Sequence, residues 1–228
     1  MLVTDRHAVP PGTLPDAVAK AVAGGVNVVQ LRERDLPIGE LLALGRAVTA
    51  AIGGRALLLV NDRVDAAAEL DADGVHLPQD GVSVALARHI LGAGKLVGRS
   101  VHSEQTARGA AAEGPDYLVL GPVYETVSHP GFTPPGLDVL AFLFEGIPLV
   151  TSSGPVGEAG VRDEVRETSP IPVIGIGGVT ANNAGDLMRT GAIGVAVVSA
   201  ILKADNIEQA ARDLVASVVL RVPGVHDA

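Results

Sequence analysis

The feature that most constrains this chain is an alternation. Short β-branched runs and helix-like segments follow one another almost from end to end. Strand-like runs fall at Leu2–Thr4, Val26–Leu31, Ala56–Val60, Gly74–Leu77, Leu96–Ser100, Tyr117–Leu120, Val173–Ile176 and Gly194–Val198. Helix-like segments fall between and after them, at Leu14–Ala23, Ile38–Ala51, Val64–Leu70, Val84–Leu91, Ser103–Glu113, Asp138–Phe144, Asn182–Arg189 and Ile207–Leu220. Strict strand–helix alternation with short connections predicts a parallel sheet, because each strand must be carried back by a crossover. Eight units predict closure into a single (β/α)8 barrel, with an open doubly wound sheet as the rival. The chain is 47% hydrophobic but only 2% aromatic, without Trp. Its core is therefore Val, Leu, Ile and Ala, as suits strands buried on both faces.

One stretch exceeds the repeat. Ile147-Pro-Leu-Val-Thr-Ser-Ser-Gly154 resembles the later Ile171-Pro-Val-Ile-Gly-Ile-Gly-Gly178. It is either a duplication competing for the seventh strand or an insertion after strand 6, at about 141–161. We take it as an insertion, because Gly177-Gly178 has the better geometry for a ligand-binding turn. The barrel domain is then expected over 1–220, with a tail at 221–228.

A net charge of −9 argues against nucleic acid or an anionic membrane as the main partner. Cysteine is absent, which removes disulfides, thiolate metal sites and thiol nucleophiles. Neither a signal-peptide pattern nor an 18-residue apolar run is seen, so a soluble cytoplasmic protein is expected.

In such a barrel, chemistry sits at the C-terminal strand ends. After strands 7 and 8, Gly177-Gly178 and Val198-Ser199 offer backbone N–H groups and a helix start, a phosphate-binding arrangement. After strand 2, alternation sends Gln30, Arg32 and Arg34 to one side, where two guanidiniums and an amide suit a phosphate or diphosphate. The competing reading is salt bridging to Glu33 or Asp35. After strand 3, Asn61 precedes Asp62, which is either a Mg²⁺ ligand or a helix cap. After strand 4, Asp80 could complete a metal site with Asp62 or simply make a turn with Gly81. His76 is expected to be a packed, hydrogen-bonded histidine. Ser100 and His102 follow strand 5. A long loop rich in Gly, Pro and hydroxyls follows strand 6, where Thr126, Ser128 and His129 could meet a phosphate and His129 could act as a base.

These residues carry a resemblance. Val29-Gln-Leu-Arg-Glu-Arg34, Val60-Asn-Asp62, Ala72-Asp-Gly-Val-His-Leu77, Gly98-Arg-Ser-Val-His102, Gly121-Pro-Val-Tyr-Glu-Thr126, Ile174-Gly-Ile-Gly-Gly178 and Gly194-Val-Ala-Val-Val-Ser-Ala200 resemble the thiamin phosphate synthase and thiazole tautomerase family. The likeness runs from Leu2 to Ala200. It implies a Mg²⁺-dependent enzyme, expected as a homodimer, that joins hydroxymethylpyrimidine diphosphate to thiazole phosphate and releases diphosphate. In that family the pyrimidine C–O bond breaks first and the thiazole nitrogen then attacks the cation. The resemblance implies that Gln30, Arg32, Arg34 and Asn61 hold the diphosphate and that Asp62 and Asp80 bind Mg²⁺. It puts Ser100 at the leaving group, and Thr126 and Ser128 against either phosphate group. Gly178, Val198 and Ser199 would hold the thiazole phosphate.

Departures are visible. Arg34 and His129 stand where the synthase pattern has Lys, and Pro78-Gln-Asp80 is one residue short. The tautomerase branch is the alternative, an isomerase of a thiazole carboxylate phosphate that needs a base and no metal. Its characteristic histidine is replaced by Pro122, which would leave His102 or His129 as the base. A third possibility is a barrel that binds such phosphates without turnover.

Overall fold

The computed structural model describes residues 1–126 and 171–219, together with two short strands at 149–150 and 166–167. The elements are β1 (Leu2–Val3), α1 (Leu14–Ala23), β2 (Val28–Leu31), α2 (Ile38–Ile52), β3 (Leu57–Asn61), α3 (Val64–Glu69), β4 (Gly74–Leu77), α4 (Val84–Leu91), β5 (Leu96–Val101), α5 (Glu104–Ala112) and β6 (Tyr117–Leu120). Then come β7 (Leu149–Val150), β8 (Arg166–Glu167), β9 (Val173–Ile176), α6 (Ala184–Arg189), β10 (Gly194–Ala196), α7 (Ser199–Leu202) and α8 (Ile207–Val219).

Eight strands pair in parallel in the order β1-β2-β3-β4-β5-β6-β9-β10. The ring closes where Leu2 bridges Val197. Val3 N–H donates to the Val197 carbonyl at 2.9 Å, and Val197 N–H to the Met1 carbonyl at 3.1 Å. The expected (β/α)8 barrel is therefore the fold.

The second Ile-Pro run takes the seventh barrel position, with Val173 opposite Leu118 on β6. Within the earlier run, Leu149–Val150 pairs antiparallel with Arg166–Glu167 in a separate two-stranded sheet. The run is thus an insertion relative to the barrel strands. The expected helix at Asp138–Phe144, the limits of the insertion and the tail lie outside the described residues.

Element ends differ from the sequence expectation by one or two residues, for local reasons. The second strand starts at Val28, because Val26 N–H closes the end of α1 on the Ala21 carbonyl at 3.1 Å. The last strand stops at Ala196, and Val198 instead caps α7. Helix α6 starts at Ala184, since the Asn183 side chain is engaged with Gly178 O at 3.0 Å and Thr180 N–H at 2.8 Å.

The barrel wall divides the core in two. Outward-pointing Val29, Leu31, Val60, Val75, Val97, Leu118 and Val173 pack with helix residues such as Ala17, Val18, Ala67, Ala87 and Leu187. Inside the ring a smaller cluster is built on Leu59, Tyr117 and Val119, flanked by Val28, Leu96, Ile174 and Ile176. This is the layered filling expected of a barrel that is a core rather than a pore. At Gly98 the interior needs a missing side chain. A Cβ there would lie 2.0 Å from Cζ of Tyr117, so the ring fills that space. Below β4 and β6, the carboxylates of Asp73 and Asp116 each accept a backbone N–H at 2.7 Å, from Leu58 and Val97. Those ties fix adjacent strands and leave the opposite rim for function.

Candidate active site

At the C-terminal rim, β2 delivers the first cluster. Gln30 is buried inside the barrel, where its amide meets Met1 Sδ at 3.8 Å. Strand β2 ends at Leu31, so Arg34 lies in the turn beyond it rather than continuing the alternation. The competing salt-bridge reading of Arg32 and Arg34 does not hold. Glu33 turns back under β1, buried, where it accepts Thr4 Oγ1–H at 2.7 Å and Arg6 N–H at 3.1 Å. The Arg6 guanidinium bridges Glu33 at 3.3 Å and grips both oxygens of Asp35 at 2.6 Å. That fork holds the Asp35 carboxyl well below the usual carboxylate range. Arg6 thus takes up both nearby acids. Among the described residues, neither Arg32 nor Arg34 makes an ion pair or a side-chain hydrogen bond, and both are exposed. Loss of hydration and the facing Arg34 charge lower the Arg32 pKa from its ordinary value. An anion would relieve that repulsion.

Strand β3 brings Asn61 and Asp62 beside Arg34. Arg34, Asn61, Asp62, Arg63 and Glu33 line one cavity of about 180 Å³ with Leu31, Leu36 and Leu41. Asp62 is not the helix cap, because Arg63 occupies that position before α3. Its backbone has φ +64°, in the left-handed region, while its N–H is held by the His76 carbonyl at 2.9 Å. A non-glycine residue kept in this conformation at a strand end is typical of functional sites.

Asp80 lies in the turn closed by Gly81 N–H on the Pro78 carbonyl at 3.0 Å, and it too is exposed. Arg99 points outward from β5 and braces this turn from behind. It donates to the carbonyls of Val82 at 2.5 Å and Gln79 at 2.9 Å. Beside Asp80, the Gln79 Oε1 atom is buried without a hydrogen-bond partner. Among the described residues no three His, Asp or Glu side chains cluster as a complete metal cage. Two carboxylates and an orphaned amide oxygen are nevertheless hard donors of the kind Mg²⁺ takes, since it completes its shell with water and phosphate oxygens.

In the barrel mouth, Ser100 Oγ lies 2.8 Å from His76 Nε2. His76 is buried, and its Nδ1 lies 3.2 Å from the Tyr117 hydroxyl. Burial, with the positive charges of Arg32 and Arg99, pushes the His76 pKa down to about 3. It is a packed, hydrogen-bonded histidine, as expected. The linkage has a definite sign. The unfolded chain binds a proton near pH 6.5 that the folded chain refuses until about pH 3. Stability is therefore expected to fall as pH drops through that window, by up to about 1.4 kcal/mol per pH unit from this group. Denaturant titrations between pH 7 and pH 4 should show a flatter decline in His76→Asn. Equal slopes would remove His76 as the cause.

His102 is exposed, and its ring Nδ1 is hydrogen-bonded to the Gly121 carbonyl. Thr126 is half-buried at the edge of the described segment. Ser128 and His129 lie outside the described residues.

Across the mouth, Gly177 and Gly178 have φ +94° and +67°. A Cβ at Gly178 would lie 2.5 Å from the Glu125 carbonyl and 2.7 Å from Tyr124 Cβ. Val123 and Tyr124 N–H groups bond the carbonyls of Ile176 and Gly177 at 2.9 and 3.1 Å, tying the strand 6 loop to this turn. Next to it, β10 leads through Val198 into α7 at Ser199. Gly178→Ala is expected to cost roughly 2–4 kcal/mol from left-handed strain plus overlap. Thermal melts check this, and an unchanged Tm would mean the turn relaxes freely.

Arg6 and Tyr117 escape a reading of the sequence alone, which gives Glu33 only as a salt-bridge partner of Arg32 or Arg34 and Arg99 only as a motif position. One signal was available for Tyr117, since it is one of only two tyrosines in the chain.

Known proteins resemble this chain over most of its length. A profile of the thiamine monophosphate synthase family matches residues 1–201. The chain is 39% identical over 217 residues to a thiamine-phosphate synthase of Roseiflexus castenholzii, covering 93% of this chain and 85% of that one. It is 40% identical over 201 residues to that of Chloroflexus aurantiacus, covering 86% and 82%. Among solved structures, thiamine phosphate pyrophosphorylase from Pyrococcus furiosus superposes with a TM-score of 0.77 at 30% identity, over 97% of this chain and 95% of that one. A 3-hexulose-6-phosphate synthase, 18% identical with a TM-score of 0.64, shares the fold alone. Motifs, barrel and relatives converge, and the chain belongs to the thiamine monophosphate synthase family.

Proposed function

We propose that this protein is a thiamine-phosphate synthase, a transferase that couples hydroxymethylpyrimidine diphosphate to thiazole phosphate and releases diphosphate. The observation that carries the reading is the pair of uncommitted guanidiniums, Arg32 and Arg34, of which Arg34 lines one cavity with Asn61 and Asp62. A metal-free isomerase has no use for that arrangement, and the curated relatives above are synthases. Arg32, Arg34, Asn61 and Gln30 bind the diphosphate and take up the charge that grows as the C–O bond breaks. Ser100 faces the same leaving group. Gly177, Gly178, Val198 and Ser199 hold the phosphate of the thiazole, with Thr126 and Ser128 from the loop after β6, so the acceptor ring sits opposite the leaving group.

Mg²⁺ is the cofactor of this reading, held by Asp62 and Asp80. When bound it neutralises the diphosphate and makes it a better leaving group. The protein's own contribution is orientation, and no general base is needed for bond cleavage. His102 and His129 are then not required for proton abstraction. The reading carries with it a cytoplasmic homodimer. Among the described residues, no helix is long and apolar enough to cross a membrane.

The test is an assay with both substrates and Mg²⁺, in which thiamin phosphate is read as fluorescent thiochrome phosphate. Product that disappears with EDTA supports the synthase. A folded protein that gives none, yet isomerises a thiazole carboxylate phosphate in EDTA, is a tautomerase instead. Ligand-induced stabilisation without either product marks a binding protein.

A further inference from the structure

Three adjacent strands carry a chain of polar groups inside the barrel. His76 on β4 stands opposite Gly98 on β5, and Gly98 opposite Tyr117 on β6. Because Gly98 has no side chain, Tyr117 reaches across β5 to the imidazole. The two rings stack with centroids 5.7 Å apart and planes 29° apart. The Tyr117 hydroxyl is 3.2 Å from Nδ1, and Ser100 Oγ is 2.8 Å from Nε2. Among the described residues these three side chains make no other side-chain hydrogen bond, and Tyr117 is buried in a cluster with Leu59 and Val119.

Two proton arrangements of a neutral imidazole are possible. In the first, Nδ1–H donates to Tyr117 and Ser100 donates to Nε2. The Tyr117 proton is then stranded among apolar groups, and the serine proton is spent inside the protein. In the second, Tyr117 donates to Nδ1 and Nε2–H donates to Ser100 Oγ. Every buried proton then has an acceptor. The proton left over is that of Ser100, the half-buried member at the mouth. A buried donor without a partner is the costlier omission, so the second arrangement wins. An imidazolium does no better, because it would again strand the Tyr117 proton and has no carboxylate against it.

We infer that Tyr117 is a positioning residue that sets the His76 tautomer, so that Ser100 is a hydrogen-bond donor to a phosphate oxygen of the bound diphosphate substrate. The role assigned to the substrate rests on the synthase reading. The proton order itself does not. The hydroxyl is oriented before substrate arrives, and its proton meets charge that appears only as the leaving group departs.

Long-range ¹⁵N–¹H spectra of the ligand-free protein, with labelled histidine and His76→Asn for assignment, read the tautomer directly. A protonated Nε2 and an unprotonated Nδ1 are expected, and the reverse assignment overturns the inference. Tyr117→Phe keeps the ring against Gly98 but removes the donor. It is expected to give mixed-tautomer shifts and a kcat lowered about tenfold, with KM for the diphosphate substrate changed less than twofold. A folded Tyr117→Phe with a pure Nε2–H signal and full kcat would remove Tyr117 from the role. Should the Nε2–H tautomer be found in a protein that makes no thiamin phosphate, the synthase reading fails and the proton order stands.

Discussion

Arg32→Gln is expected to lower kcat/KM by about 10²–10³-fold, the usual effect of losing one donor aimed at developing charge. Its Tm should hardly move, because an exposed side chain without a protein partner contributes within about 0.5 kcal/mol. Arg6 is what leaves the Arg32 and Arg34 guanidiniums available. By gripping Glu33 and Asp35 it keeps two carboxylates away from Arg32 and Arg34. Arg6→Ala should therefore weaken inorganic diphosphate binding although Arg6 touches no ligand, and adding Asp35→Asn should restore part of it. Calorimetric titration with diphosphate and Mg²⁺ decides the matter. Unchanged affinity in Arg32→Gln would move the anion site elsewhere.

Asp62→Asn should be at least as damaging, with about 10³-fold less turnover or more, and here two substitutions separate charge from backbone. Asp62 sits at φ +64°. Asparagine tolerates that region as well as aspartate does, so Asp62→Asn removes the charge and keeps the fold. Asp62→Ala removes the charge and adds left-handed strain of about 1–2 kcal/mol. Both variants should lose Mg²⁺-dependent diphosphate release, while only Asp62→Ala should also lose several degrees of Tm. If Asp62→Asn retained normal turnover with an unshifted Mg²⁺ requirement, the carboxylate would not be a metal ligand.

Periodicity made the barrel legible, because a buried parallel strand and a surface helix impose different spacings on apolar residues. It also exposed Arg32, since strand alternation puts it on the same side as Gln30 at the end of Val28–Leu31. What stayed hidden depends on contacts between distant strands. Glu33 reads as a salt-bridge partner of its neighbours until β1 pairs with β2, Val3 against Gln30, and brings Arg6 to it. Tyr117 and His76 are 41 residues apart, and their contact needs the empty position at Gly98. Arg99 looked like part of a rim motif, but strand alternation turns it outward to brace the Asp80 turn. Ser128 and His129 fall beyond the described residues, so their part in the site stands on the sequence alone.

The seam between β1 and β10 has a consequence for how the chain reaches this shape. Leu2 is made almost two hundred residues before its partner Val197. Until then the first and last strands present open edges, so the nascent protein is an arc with two unpaired rims. Closure is a long-range event that waits for most of the polypeptide. A fragment ending before Gly194 should keep much of its helical content, but it should tend to self-associate through those rims instead of staying monodisperse.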